Sequence, residues 1–139
     1  MKGVYPVLFT QCDNGVLVEV PDFDILTEGK DINDAIEMAR DAIEVKCVSM
    51  EDADENIPKP SNMKDIDIKT GIFSNEGNTF VSLVDIDSGE YRRKIDTKTV
   101  RRNVTLPSWL NYEAEHANIN VSRVLQEALI STLGLKRSL

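Results

Sequence analysis

In the run VRRNVTLPSWL, Arg101, Asn103 and Thr105 alternate with Val100, Val104 and Leu106. Successive side chains of an extended chain point to opposite faces, so the three polar residues share one face and the apolar residues the other. Arg102 falls on the apolar face, near its edge. A face of this composition can read base edges: the Arg fork matches guanine O6/N7 and the Asn amide matches adenine N6/N7 in the major groove. The segment therefore reads as a strand that meets DNA.

Other residues invite other chemistry. Asp13, Glu19, Asp22 and Asp24 cluster in sequence, with Asp85 and Asp87 further on. Carboxylates gathered at neighbouring strand ends can hold two Mg²⁺ ions for phosphodiester cleavage. Here no DxD motif sits at a strand centre, and no His or Lys stands nearby as an acid, so solvated turn and strand-end residues are the simpler reading. His116 lies on a predicted helix without a Ser or Cys nucleophile in recognisable context. Cys12 and Cys47 lie on different predicted elements, with no CxxC and no nearby His; four zinc ligands at short spacing are absent. They read as reduced, half-buried thiols. No catalytic residue, metal or cofactor is expected, and the chain is not expected to be an enzyme.

Charge divides the 139 residues unevenly. Residues 1–97 carry 21 Asp/Glu and 10 Lys/Arg, whereas residues 98–139 carry 3 and 6, for a total of -8. An acidic body with a basic tail implies two modules facing partners of opposite charge. Hydrophobic content of 41% and charged content of 29% fit a soluble globular protein. No apolar run approaches the roughly 20 residues that cross a bilayer, and the first residues carry no signal-peptide pattern. A cytoplasmic protein without a membrane partner is expected.

The elements that position these residues follow from periodicity. Tyr5–Cys12 and Gly15–Val20 are rich in β-formers, and Asp13-Asn14-Gly15 between them predicts a tight hairpin with positive φ at its Asn-Gly tip. A third short strand is predicted through Ile25–Thr27, closed by Gly29. Asp31 reads as a helix N-cap with Asp34 three residues on. Ile32, Ala35, Ile36, Ala39, Ala42, Ile43, Cys47 and Met50 then lay one apolar stripe along a helix of about five turns, with Glu37, Arg40, Asp41 and Glu44 opposite. MEDADENIPKPSNMKD reads as a loop and Thr79–Ile86 as a further strand. The order β-β-β-α-loop-β makes an α+β layer, one helix on a small antiparallel sheet.

Downstream, Pro107 ends the Arg-bearing strand and opens a helix to about Ala117, with Leu110, Ala114 and Ala117 as its stripe and Trp109 beside them. Asn120 caps a second helix through Val121, Val124, Leu125, Ala128, Leu129, Thr132 and Leu133, stopped at Gly134. Lys136 and Arg137 fall where the helix dipole favours positive charge. A strand and two helices of this size bury too little to stand alone, and the strand lacks a partner for its backbone. Two chains pairing antiparallel about a two-fold axis solve both problems. Val104, Leu106, Val124, Leu125 and Leu129 would form the shared core. The ribbon would present Arg101, Asn103 and Thr105 to bases, while Asn120, Val121 and Ser122 hold a phosphate at the helix start.

RRNVTLPSWLNYEAEHANINVSRVLQEAL resembles a ribbon-helix-helix DNA-binding domain over about residues 98–135. Its markers are the strand ending in Leu106-Pro107, the Asn120-x-Ser122 opening and the helical period that follows. Upstream, YPVLFTQCDNGVLVEVPDFDILTEGKDINDAIEMARDAI resembles the amino-terminal domain of HicB-type antitoxins. Shared features are Tyr5-Pro6, the Asn14-Gly15 hairpin, Val20-Pro21-Asp22-Phe23, Thr27-x-Gly29, the Ala-rich helix and IPKPS at 57–61. The departure is Phe23-Asp24-Ile25, where many members carry a Leu-Pro-Gly-Cys run. The resemblance implies residues 1–92 as a partial RNase H-like domain without nuclease activity, 93–98 as a linker and 99–139 as a ribbon-helix-helix. It further implies an antitoxin that blocks a small basic ribonuclease toxin, HicA, and represses its own operon as a dimer or tetramer on operator DNA. It carries the DNA contacts to Arg101, Asn103 and Thr105 and the phosphate contacts to Asn120 and Ser122. An acidic first module suits a basic partner.

Two other readings stay open at this point. A ribbon-helix-helix repressor whose first module senses a small ligand would bind DNA in response to a metabolite and carry no toxin. An RNase H-like nuclease tethered to DNA would show Mg²⁺-dependent cleavage that is lost in Asp85→Asn.

Overall fold

The computed structural model describes residues 1–135, which fall into two compact units, 1–96 and 97 onward. In the first unit the element order is β1 (Lys2–Cys12), β2 (Gly15–Val20), β3 (Ile25–Gly29), α1 (Ile32–Asp52), β4 (Asn78–Asp87) and α2 (Ser88–Ile95). Three short 3-10 turns punctuate it at Pro21–Phe23, Met63–Asp65 and Ile68–Thr70. The strands form one antiparallel sheet in the order β3-β2-β1-β4.

Alternation along the strands builds the core. Tyr5, Val7 and Phe9 of β1, Val16, Val18 and Val20 of β2, and Val84 and Ile86 of β4 share the face that α1 covers. Ala35, Ala39, Ile43 and Cys47 are the helix residues that meet them, fully buried. Each large side chain enclosed this way contributes about 1.5–3 kcal/mol. The predicted cap is present: the Asp31 carboxylate accepts the Asp34 N–H at 2.8 Å. Small residues at 35 and 39 let the helix sit close, and Gly29 is part of the same fit. A Cβ there would lie 2.4 Å from the Ala35 nitrogen.

Several details depart from the sequence reading, each for a local reason. The hairpin tip is Asp13-Asn14, because Cys12 pairs with Gly15; positive φ falls on Gly15, at 150°, the first residue of β2. Its missing Cβ would approach the Gly29 carbonyl oxygen to 2.7 Å. The β1–β2 ladder stops at Leu8 opposite Glu19. Two residues further the register would set Pro6 against Pro21, and neither has an N–H to give. Glu44, expected on the polar side of α1, is 7% exposed, because its carboxylate accepts the Asp87 N–H at 3.1 Å.

The long loop is structured against the body. Pro58 offers its carbonyl to the buried Tyr5 hydroxyl at 2.7 Å, and Ile57 packs on the core. Where the family resemblance is weakest, at Phe23-Asp24-Ile25, Phe23 meets Tyr5 edge-on at 4.8 Å and Asp24 takes a left-handed turn (φ 52°). Helix α2 was not foreseen, and it carries the first unit to Asp96, past residue 92 and into the expected linker. Arg92 on α2 reaches Glu51 and Asp52 at the end of α1, at 2.9 Å each, which fastens the last helix to the first.

In the second unit α3 (Ser108–His116) and α4 (Val121–Leu133) form as the periodicity predicts. Asn120 caps α4 through the Arg123 N–H at 3.1 Å, and Gly134 ends it in the left-handed region. No strand forms over residues 99–106, contrary to expectation. A strand exists only where a second one accepts its hydrogen bonds, and the single chain supplies none here. Lys136 and Arg137, expected beyond α4, lie outside the described residues. Among the described residues no helix is long and apolar enough to cross a membrane.

Candidate functional site

Arg101, Asn103 and Thr105 are all exposed and lie in one unpaired segment that ends at Pro107. Pro107 accepts the Leu110 and Asn111 N–H groups and so launches α3 directly from that segment. At the start of α4 the Asn120 side chain is occupied with Arg123, which leaves the Val121 and Ser122 N–H groups as first-turn donors without a helical acceptor. Both residues are exposed. The N-cap role of Asn120 means that its amide oxygen is committed to the helix; its NH₂ is the part left for a ligand.

The apolar residues of this unit have no interior to occupy. Val104, Leu106, Val124 and Leu129 are 49%, 40%, 51% and 49% exposed, and Leu125 is only half-buried. Leu110, Val121 and Leu133 are exposed as well. An apolar stripe on both helices and on the segment before them, left open together, is a surface made for burial against something else. His116 stacks on Tyr112 at 3.9 Å and its Nδ1 lies 3.1 Å from the Tyr112 carbonyl, a local helix contact.

The acidic residues of the first unit are largely spent on structure. Glu19 accepts the Ile72 N–H at 3.2 Å, Asp22 binds the N–H and hydroxyl of Ser61, and Asp87 caps α2 through the Glu90 N–H at 3.1 Å. Asp85 pairs with Arg40 at 2.8 Å, and that guanidinium lowers its pKa. Among the described residues no three His, Cys, Asp or Glu side chains converge as a metal site would require. Both cysteines are free: Cys47 is buried, which pushes its thiol pKa up, and Cys12 is half-buried. An open cavity of about 700 Å³ lies at the hairpin end, lined by Asp13, Glu28, Lys30, Asp34, Met38 and Glu76 among others.

Sequence reasoning named no surface on the first unit. The sheet face turned away from α1 presents exposed Val4 and Leu83, with Leu26 on β3 and Ile72 in the long loop exposed as well. The signal was present in the odd positions of TFVSLVDI, whose side chains alternate away from the core.

Comparison with known proteins places the chain. The family described as "HicB_like antitoxin of bacterial toxin-antitoxin system" matches residues 5–129, across both units. No curated protein matches by sequence. Among solved structures, the "Toxin-Antitoxin complex from Streptococcus pneumoniae" contains a chain of 22% identity and TM-score 0.60, with 95% of this chain and 99% of that one covered. The "HicA3 and HicB3 toxin-antitoxin complex" gives 22% identity and TM-score 0.50 over 61% of this chain and 99% of the other. The "Antitoxin HicB3 crystal structure" gives 20% and 0.50 over 87% of each. These likenesses concern the fold; the family match extends over most of the sequence. The chain belongs to the HicB-like antitoxins of bacterial toxin–antitoxin systems.

Proposed function

We propose that this antitoxin neutralises a small basic ribonuclease toxin of the HicA kind through residues 1–96, and represses its own operon through a dimer of the second unit on operator DNA. The observation that carries the second half is the shared exposure of Val104, Leu106, Val124 and Leu129 beside a basic segment without a strand partner. A second copy supplies both deficits at once. The two segments pair as an antiparallel ribbon, and the apolar stripes close into a common ribbon-helix-helix core. Arg101, Asn103 and Thr105 then face the major groove, and Val121, Ser122 and the Asn120 amide hold a backbone phosphate on each side.

The first half rests on family membership and on charge. The first unit carries 21 acidic against 10 basic residues, a field that steers a basic partner into contact. In this reading its partial RNase H-like sheet is a binding surface, and its carboxylates serve the fold instead of a reaction. The protein acts in the cytoplasm, without cofactor or metal. Its assembly is a dimer closed through the second unit.

Expression with a tag, followed by purification at high salt, tests the reading. A small basic protein should co-purify, and ribonuclease activity should return once it is freed. A chain recovered alone, still dimeric and still bound to its promoter, would overturn the toxin assignment. That outcome favours a ligand-sensing repressor, for which the open cavity at the hairpin end is the place to look.

A further inference from the structure

Strand β4 is an edge strand ten residues long, from Asn78 to Asp87, and its two ends are treated differently. Near the carboxyl end two outward backbone groups are taken up by side chains of α1. The Asp85 carbonyl accepts the Arg40 Nε–H at 3.0 Å, and the Asp87 N–H donates to Glu44. These two bonds come from outside the sheet, so the backbones of the odd-numbered residues point away from β1. The same alternation turns Thr79, Val81 and Leu83 outward. Among the described residues nothing hydrogen-bonds the N–H or C=O groups of those three on that side.

Open edges of this length invite unwanted pairing, and proteins blunt them. Here the blunting stops at Asp85 and leaves a window of three outward residues. Next to the window the sheet face away from α1 offers exposed Leu83 and, on the neighbouring strand, Val4. Backbone donors and acceptors beside an exposed apolar strip make a place where an extended segment can add to a sheet. Charge decides the occupant. Two copies of a unit with a net excess of eleven acidic residues would repel, whereas a basic segment is drawn in.

We infer that the β4 edge from Thr79 to Leu83 is the docking strand for the toxin, which adds an extended basic segment to this sheet; the inference rests on the toxin-binding reading above. Amide hydrogen exchange on the full-length chain, alone and with the ribonuclease toxin of its own pair, tests it. The Val81 and Leu83 amides should exchange fast in the free antitoxin and about 10- to 100-fold more slowly in the complex. Val81→Pro removes an outward donor without touching the β1–β4 ladder, and should weaken toxin binding about 10- to 100-fold. Val81→Thr, which keeps the N–H, should bind as wild type does.

A complex that forms while exchange at Val81 and Leu83 stays unchanged would overturn the docking strand and leave the toxin-binding reading standing. Protection that grows with antitoxin concentration alone would give the edge to a second copy and overturn it also. Absence of any complex would instead remove the reading beneath it. Should Val81→Pro fail to fold, the exchange comparison on the wild-type chain decides alone.

Discussion

The two units handle apolar residues in opposite ways. The first encloses Tyr5, Val7, Phe9, Val18, Val20 and Ile43 between one sheet and one helix. The second has a comparable supply of Val and Leu at helical spacing, yet leaves Val104, Leu106, Val124, Leu129 and Leu133 open. The difference is geometric. A four-stranded sheet is a flat surface that a single helix can cover, while two short helices and an unpaired segment have no second layer to close against. Sequence pattern alone sets which residues want burial; connectivity sets whether one chain is enough.

The strongest way to break this comparison is to damage the closed unit. Phe9→Ala opens a cavity under the Phe80 ring, which stacks on it at 5.6 Å. It should cost about 3–5 kcal/mol. Thermal or urea unfolding should show the first unit failing early, with toxin neutralisation lost and operator binding kept. Simultaneous loss of both activities would mean that the units do not fold independently.

Leu125→Asp attacks the open unit. A charge placed in the shared core should dissociate the dimer and abolish operator binding, while toxin neutralisation at saturating antitoxin persists. Gel filtration that matches wild type would count against the core assignment. Arg101→Ala and Asn103→Ala should each cost about 1–3 kcal/mol of operator affinity, enough to abolish repression, with neutralisation intact. Toxicity returning in either variant would erase the division of labour.

The smallest effect sharpens the picture within the first unit. Hydrogen bonds from Arg92 and then Ser88 lower the Glu51 pKa. Its folded value lies below the unfolded one, so the stabilisation is present above the ordinary Glu value of 4.5 and fades as pH falls through the folded value. Arg92→Ala should lower the melting temperature at neutral pH by a small margin. The two proteins should converge as the solution becomes acidic. A pH-independent gap between them would assign Arg92 a packing role instead.

Much of this was legible in residue spacing. Alternation gave β1, β2 and β4, the stripe from Ile32 to Met50 gave α1, and Asp31, Asn120 and Gly134 marked helix ends. What stayed hidden depends on distant partners. Helix α2, in SGEYRRKI, has almost no apolar stripe, and its cap, Asp87, reads equally well as a strand end. Burial of Glu44 requires an N–H 43 residues away. For the candidate site, sequence spacing named Arg101, Asn103 and Thr105, and the fold leaves all three exposed. Their strand does not form because no segment of the described chain pairs with it. The open β4 edge of the first unit went unnamed for a related reason: an edge is a property of strand order, and strand order is not written in any short run of residues.

Sedimentation equilibrium of the full-length chain at micromolar concentration tests the contrast between the units most directly. The account predicts a dimer or larger assembly, and a monomer once the chain is cut back to residues 1–96. A monomeric full-length chain with α3 and α4 still helical by circular dichroism would contradict it, since the open apolar stripes would then need no second copy.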